Sequence, residues 1–83
     1  MIKVSERALK FIKENIENAD NLLKGETVEN FNKLLSDISD IMIYKGFEKD
    51  GDINDFGRSA ERAYDDICYN GELYSGGVKV EME

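Results

Sequence analysis

Apolar residues recur at helical spacing over three stretches of the chain. Ala8, Leu9, Ile12, Ile16, Ala19, Leu22 and Leu23 mark one face of a helix over about 5–24. Ser5 is its natural N-cap, with Glu6 in the first turn and Lys24-Gly25 as the stop. Val28, Phe31, Leu35, Ile38 and Met42 repeat at alternating steps of three and four, and Leu34 and Ile41 widen the stripe. This predicts a helix over 27–45, capped by Thr27 and closed by Lys45-Gly46. Ile53, Phe56, Ala60, Ala63 and Ile67 step in the same way and predict a third helix over 52–69. Asp52 is placed to cap it, Asp55 falls in its first turn and Asn70-Gly71 ends it. Gly57 weakens that first turn by about 1 kcal/mol relative to alanine.

Past Gly71 the period changes to two. After Leu73 and a Ser75-Gly76-Gly77 turn, Val78, Val80 and Met82 alternate with Lys79, Glu81 and Glu83. This predicts a β-like tail over 72–82, as a short C-terminal hairpin or strand pair. Met1-Ile2-Lys3-Val4 offers a further short strand beside it. A lone strand pair is marginal, so the tail must pack on the helices. The expected fold is mainly α: one small three-helix domain over 1–83 with a short terminal β element, an α+β assignment being the alternative.

Length sharpens this picture. A chain of 83 residues has room for one domain. It buries roughly 60–65% of its unfolded surface, so nearly every large apolar residue is needed for a thin core. Little apolar surface is left for a deep ligand pocket, which usually takes about 300–1,000 Å³. The single cysteine, Cys68, cannot make an internal disulfide. The N-terminal residues carry Lys3, Glu6 and Arg7 and show no apolar leader, and no apolar run approaches a membrane span. The expected setting is cytoplasmic, in a bacterial cell, as the cell's own protein or that of a phage or mobile element. There is no histidine, which removes the commonest general base and the commonest transition-metal ligand. The chain is expected not to be an enzyme and to need no cofactor.

Charge divides the chain in two. Residues 1–45 carry seven Lys/Arg against eight Asp/Glu, while residues 46–83 carry four against ten. Glu48, Asp50, Asp52, Asp55, Glu61, Asp65 and Asp66 lie within nineteen residues. Such a field repels nucleic acid and attracts a basic protein surface.

Asp50, Asp52, Asn54 and Glu61 fall at relative positions 1, 3, 5 and 12. Over about twelve residues this resembles the calcium loop of the EF-hand family, which implies those four as metal ligands. The chain departs from that pattern at position 6, where the family's glycine is Asp55. It departs again at position 8, where an aliphatic residue is Gly57. A second loop to pair with is missing. The competing reading makes Asp52 a helix cap with solvated neighbours, and then there is no metal.

The acids have other readings. Asp65 and Asp66 are adjacent, so on a helix they point roughly 100° apart. Glu61 and Asp65 share a face, as do Arg58 and Arg62, and surface pairs between them are worth a few tenths of a kcal/mol. Cys68 has no base to activate it and is expected to be packed and inert. Tyr44, Phe47, Tyr64, Tyr69 and Tyr74 make the acidic half aromatic as well. Aromatics among acids suit a protein-facing surface, where tyrosine is favoured at hot spots. The alternative is that they complete the core. A helix-turn-helix is excluded by the long Gly46–Gly51 joint and by acids where a recognition helix needs cations. No phosphate-binding glycine motif is present.

The function expected from these features is a small acidic inhibitor that blocks the basic surface of a nucleic-acid-binding protein, a nuclease or a defence effector. It is not expected to bind nucleic acid or membrane itself. In size and charge it is similar in type to small phage-encoded inhibitors, anti-CRISPR proteins among them, in which carboxylates stand where phosphates would. The expected contacts are Glu48, Asp50, Asp52, Asp55, Glu61, Asp65 and Asp66, with Tyr69 or Tyr74 as anchor. Three alternatives stand beside it: an immunity protein or antitoxin neutralising a nuclease toxin, an EF-hand-like calcium module, and a helical assembly adaptor.

Overall fold

The computed structural model describes residues 1–81, so Met82 and Glu83 at the end of the expected tail lie outside the described residues. Four helices and three strands follow one another: β1 (Ile2–Lys3), α1 (Glu6–Asn15), α2 (Ala19–Leu23), α3 (Val28–Lys45), α4 (Asp55–Asn70), β2 (Glu72–Ser75) and β3 (Val78–Val80). The fold is mainly α with a small antiparallel sheet in the order β1-β2-β3.

Local chemistry sets the element ends. The Ser5 hydroxyl accepts from the Ala8 amide at 3.2 Å and caps α1. Thr27 and Asn30 form a reciprocal capping box at the start of α3: the Thr27 hydroxyl accepts from the Asn30 amide, and the Asn30 side chain accepts from the Thr27 amide, both at 3.1 Å.

Two expectations are corrected here, the first and the third helix, while the terminal β element forms as expected. The helix expected over 5–24 is two helices. Ile16 leaves α1 in an extended conformation and Asn18 adopts φ 58°, a left-handed geometry that asparagine tolerates. The break still delivers Ile16 and Ala19 to the core, so the apolar spacing alone does not reveal it. The third helix begins at Asp55, and its cap is Asn54 rather than Asp52. Asp52 and Ile53 are held extended, because the Asp52 carbonyl accepts from Glu48 at 2.7 Å and Ile53 bridges Phe47. The β element is a three-stranded sheet, with Ile2 opposite Leu73 and Leu73 opposite Val80. Gly76 and Gly77, at φ 58° and 81°, make the tight turn between β2 and β3. The Glu26 carboxylate holds that turn by accepting from the Gly76 amide at 2.6 Å.

α4 lies against both α1 and α3. It runs antiparallel to α3: Gly57 meets Gly46 at one end, and Gly71 lies by Phe31 at the other. It also runs antiparallel to α1, with Phe56 on Phe11 and Asp66 on Ser5. Ile12, Leu34, Ile38, Ile67 and Leu73 are the largest fully buried side chains, so the core joins helices and sheet. Each contributes about 1.5–3 kcal/mol by burial. The sheet therefore sits at one end of the α3–α4 pair, and the α3–α4 connection lies at the other. The molecule is elongated, 46 × 24 × 21 Å.

Candidate functional site

Residues 46–54 connect α3 to α4 as a miniature hairpin. The Gly51 amide donates to the Glu48 carbonyl at 2.9 Å, and the Glu48 amide donates to the Asp52 carbonyl at 2.7 Å. Gly51 stands at φ 91° between these two bonds, the arrangement of a turn closed by a glycine bulge. The Asp50 carboxylate accepts from the Asp52 amide at 3.1 Å and stiffens the tip. At the base, the Asn54 amide donates to the Gly46 carbonyl at 2.8 Å. The Asn54 side chain then works at both of its ends, accepting from the Gly57 amide at 2.8 Å and donating to the Lys45 carbonyl at 2.9 Å. One residue thus caps α4 and closes α3.

This order presents acids at one end of the molecule. Glu48, Asp50, Asp52 and Asp55 are all exposed. None of them forms a salt bridge among the described residues. Beside them, the last turn of α3 exposes Ile43 by 65% and Tyr44 by 85%, and Phe47 is 46% exposed. Three exposed apolar and aromatic side chains therefore share one chain segment with four carboxylates that form no salt bridge among the described residues, and Lys45 and Lys49 are exposed in that segment too. Sequence periodicity placed Ile43 on no face in particular. The signal for it was its position off the Leu35, Ile38 and Met42 stripe.

The remaining expected contacts divide. Glu61, Asp65 and Tyr69 are exposed along the outer side of α4, with Tyr69 at 85%. Arg58 and Arg62 make no ion pair with Glu61 or Asp65, so the expected surface pairs are absent among the described residues. Asp66 turns the other way, as its roughly 100° offset from Asp65 requires. It accepts from the Ser5 hydroxyl and, at 2.8 Å, from the Asn70 side chain. These two hydrogen bonds, helped by the charge of Arg7, hold its carboxyl below the ordinary value. Asp66 is a tie between α4 and the cap of α1.

Tyr74 also leaves the acidic face. It lies on the outer face of the sheet, with the Lys3 ammonium 4.9 Å from its ring centroid. Beside it the Lys79 ammonium pairs with Glu72 at 2.9 Å, which lowers the Glu72 carboxyl and raises Lys79. Tyr64 packs against the core.

No protein-family model, no curated protein and no solved structure matches this chain. Its own geometry therefore carries the functional argument.

The structure does not gather Asp50, Asp52, Asn54 and Glu61 around one point. No group of three or more acidic, histidine or cysteine side chains among the described residues is placed to hold a metal. One Asp50 carboxylate oxygen and the Asn54 side-chain oxygen accept from backbone amides, and α4 begins at Asp55, halfway through the twelve residues, which carries Glu61 away on the helix. Cys68 is exposed rather than packed, a correction to the expected burial. Partial desolvation and the neighbouring Asp65 charge push its thiol up, so it stays protonated at neutral pH. No helix among the described residues is long and apolar enough to cross a membrane.

Proposed function

We propose that this protein is a small protein-binding inhibitor that docks the acidic hairpin end onto the basic surface of a nucleic-acid-binding protein. The observation that carries the reading is the exposure of Ile43, Tyr44 and Phe47 in one chain segment with Glu48, Asp50, Asp52 and Asp55, whose carboxylates form no salt bridge among the described residues. Aromatic anchors supply contact area at an interface core, and the flanking charges steer encounter with a basic partner. The hairpin backbone is held by its own hydrogen bonds, so the positions that carry the acids are fixed before binding and less backbone entropy is lost on association. The protein acts by occupying a surface where phosphates would sit, with no chemistry of its own. Glu61, Asp65 and Tyr69 extend the contact along α4. Asp66 and Tyr74 are excluded, because both are engaged within the fold.

The test is affinity capture from bacterial lysate with two baits, the wild-type chain and a variant carrying Glu48→Lys, Asp52→Lys and Asp55→Lys. Support is a basic nucleic-acid-binding protein held by the wild type, lost with the variant and released by DNA. A partner held equally by both baits, or indifferent to DNA, overturns the reading.

A further inference from the structure

A second feature lies between α1 and α4, where an open cleft of 460 Å³ is walled by cations. Arg7 and Lys10 come from α1, and Arg62 comes from α4. Phe11 and Phe56 line it, their ring centroids 5.7 Å apart and their planes tilted by 44°. Both rings are half-buried, so part of each faces the cleft. The only carboxylate in the lining is Glu14, and it reaches Lys10 at 4.0 Å. Arg7 and Arg62 make no salt bridge among the described residues. The cleft thus gathers two arginines and a lysine around two aromatic rings, with Arg7 also close enough to the Asp66 carboxylate for its charge to act on it.

We propose that this cleft binds a small aromatic anion, a planar ring system bearing a phosphate group. Arg7 and Arg62 take the phosphate, and the ring lies on Phe11 and Phe56. The guanidinium fork matches phosphate oxygens in pairs, which a lysine does not do. Aromatic rings accept any planar base on their faces. The volume falls in the range of about 300–1,000 Å³ typical of small-ligand sites. A compact monophosphate fits better than a polymer, because Asp55 and Glu61 flank Phe56 and Arg62 in sequence and would repel an extended polyanion.

The experiment is an amide NMR titration of the full chain with adenosine monophosphate, and in parallel with inorganic phosphate and with adenosine. The monophosphate is expected to shift the amides of α1 and of the first half of α4 in a saturable way. Phosphate and adenosine alone are each expected to bind at least about tenfold more weakly, since each supplies one half of the contact. Arg62→Ala is expected to weaken the monophosphate by about tenfold, the loss of one charged hydrogen-bonding group. Arg62 is exposed, so the variant keeps its fold, and its dispersed spectrum verifies that. Phe11→Leu reports on the ring contact independently. Equal binding of phosphate and monophosphate, shifts centred elsewhere, or unchanged affinity in both variants overturns the proposal.

Discussion

Asp66 on α4 accepts a hydrogen bond from the Ser5 hydroxyl, and the same hydroxyl accepts from the Ala8 amide to cap α1. Ser5 thereby donates and accepts at once, and a carboxylate from the far end of the chain aligns the cap. Ser5→Ala should cost about 1 kcal/mol, the usual loss of an N-cap. Asp66→Ala should lower the melting temperature, whereas the adjacent, exposed Asp65→Ala should not. Because Ser5 and Asp66 act through one bond, their effects should not add. A double-mutant cycle by urea denaturation checks this, and strict additivity would show that the contact contributes nothing.

Gly46 and Gly57 allow the end of α3 and the start of α4 to meet backbone to backbone. A methyl at Gly57 would lie 2.6 Å from Ile53 Cγ1 and closer still to the Gly46 carbonyl oxygen. On an isolated helix, glycine to alanine gains about 1 kcal/mol. Here the steric term wins, and Gly57→Ala should destabilise by about 1–3 kcal/mol, as overpacking does. An increase in stability on thermal or urea denaturation would refute the close approach.

These two sites show why the sequence is legible in some places and not in others. Helix faces, the Ser5 and Thr27 caps and the glycine turn before Val78 are local, so periodicity and residue type reach them. The break at Asn18 is invisible to periodicity because both sides of it keep the apolar spacing. Its trace is the pair Asn15 and Asn18, which interrupt an otherwise good helix sequence. The cap at Asn54 loses out in a sequence reading to Asp52, because nothing local says that Asp52 belongs to a hairpin. Gly57 looks like a local cost until its long-range neighbour Gly46 is known. The acidic face was legible as composition. Its division into exposed carboxylates and the tied Asp66 depends on Ser5, 61 residues away in sequence. The cationic cleft combines α1 with α4 and has no sequence motif.

The shifted groups set a pH dependence. Asp66 and Glu72 titrate below their ordinary values of 3.8 and 4.5. Their contributions are fully present above those values and are lost as pH falls through the lowered folded values. Lys79 is raised above 10.5, so its contribution is present below that value and lost as pH rises through the folded one. The raised thiol of Cys68 removes stability in the same direction from 9.0 upward. Urea unfolding across pH should show a plateau with losses at both ends. Asp66→Asn should flatten the acid limb alone. Glu72→Gln should flatten both limbs, because it also removes the partner of Lys79. An unchanged acid limb in both variants would mean that these carboxylates titrate alike folded and unfolded.

Asn54 and Asp52 offer a direct contrast between two caps. Asn54→Ala removes the acceptor for Gly57 and the donor to Lys45, so it should cost about 1–2 kcal/mol. Asp52→Ala leaves its backbone bond to Glu48 in place and should change stability by less than about 0.5 kcal/mol. The reverse order would return the cap to Asp52. In the same experiment millimolar calcium should leave the melting temperature of the wild type unchanged, since Glu61 is not placed with Asp50 and Asp52.

Separating stability from binding tests the hairpin face itself. Tyr44 is 85% exposed and Ile43 65%, so Tyr44→Ala and Ile43→Ser should alter stability by less than about 0.5 kcal/mol. Leu34 is fully buried, and Leu34→Ala should cost about 2–5 kcal/mol. If Tyr44 anchors a partner, Tyr44→Ala should weaken capture by at least about tenfold, the scale of an interface hot spot. Raising salt should weaken capture through the carboxylates while leaving the Tyr44 contribution largely intact, because exposed charges are screened within about 8–10 Å at physiological ionic strength and apolar contacts are not. A partner that releases in salt but ignores Tyr44→Ala would confine the interface to the hairpin acids. A partner that ignores both would place the interface elsewhere on the molecule.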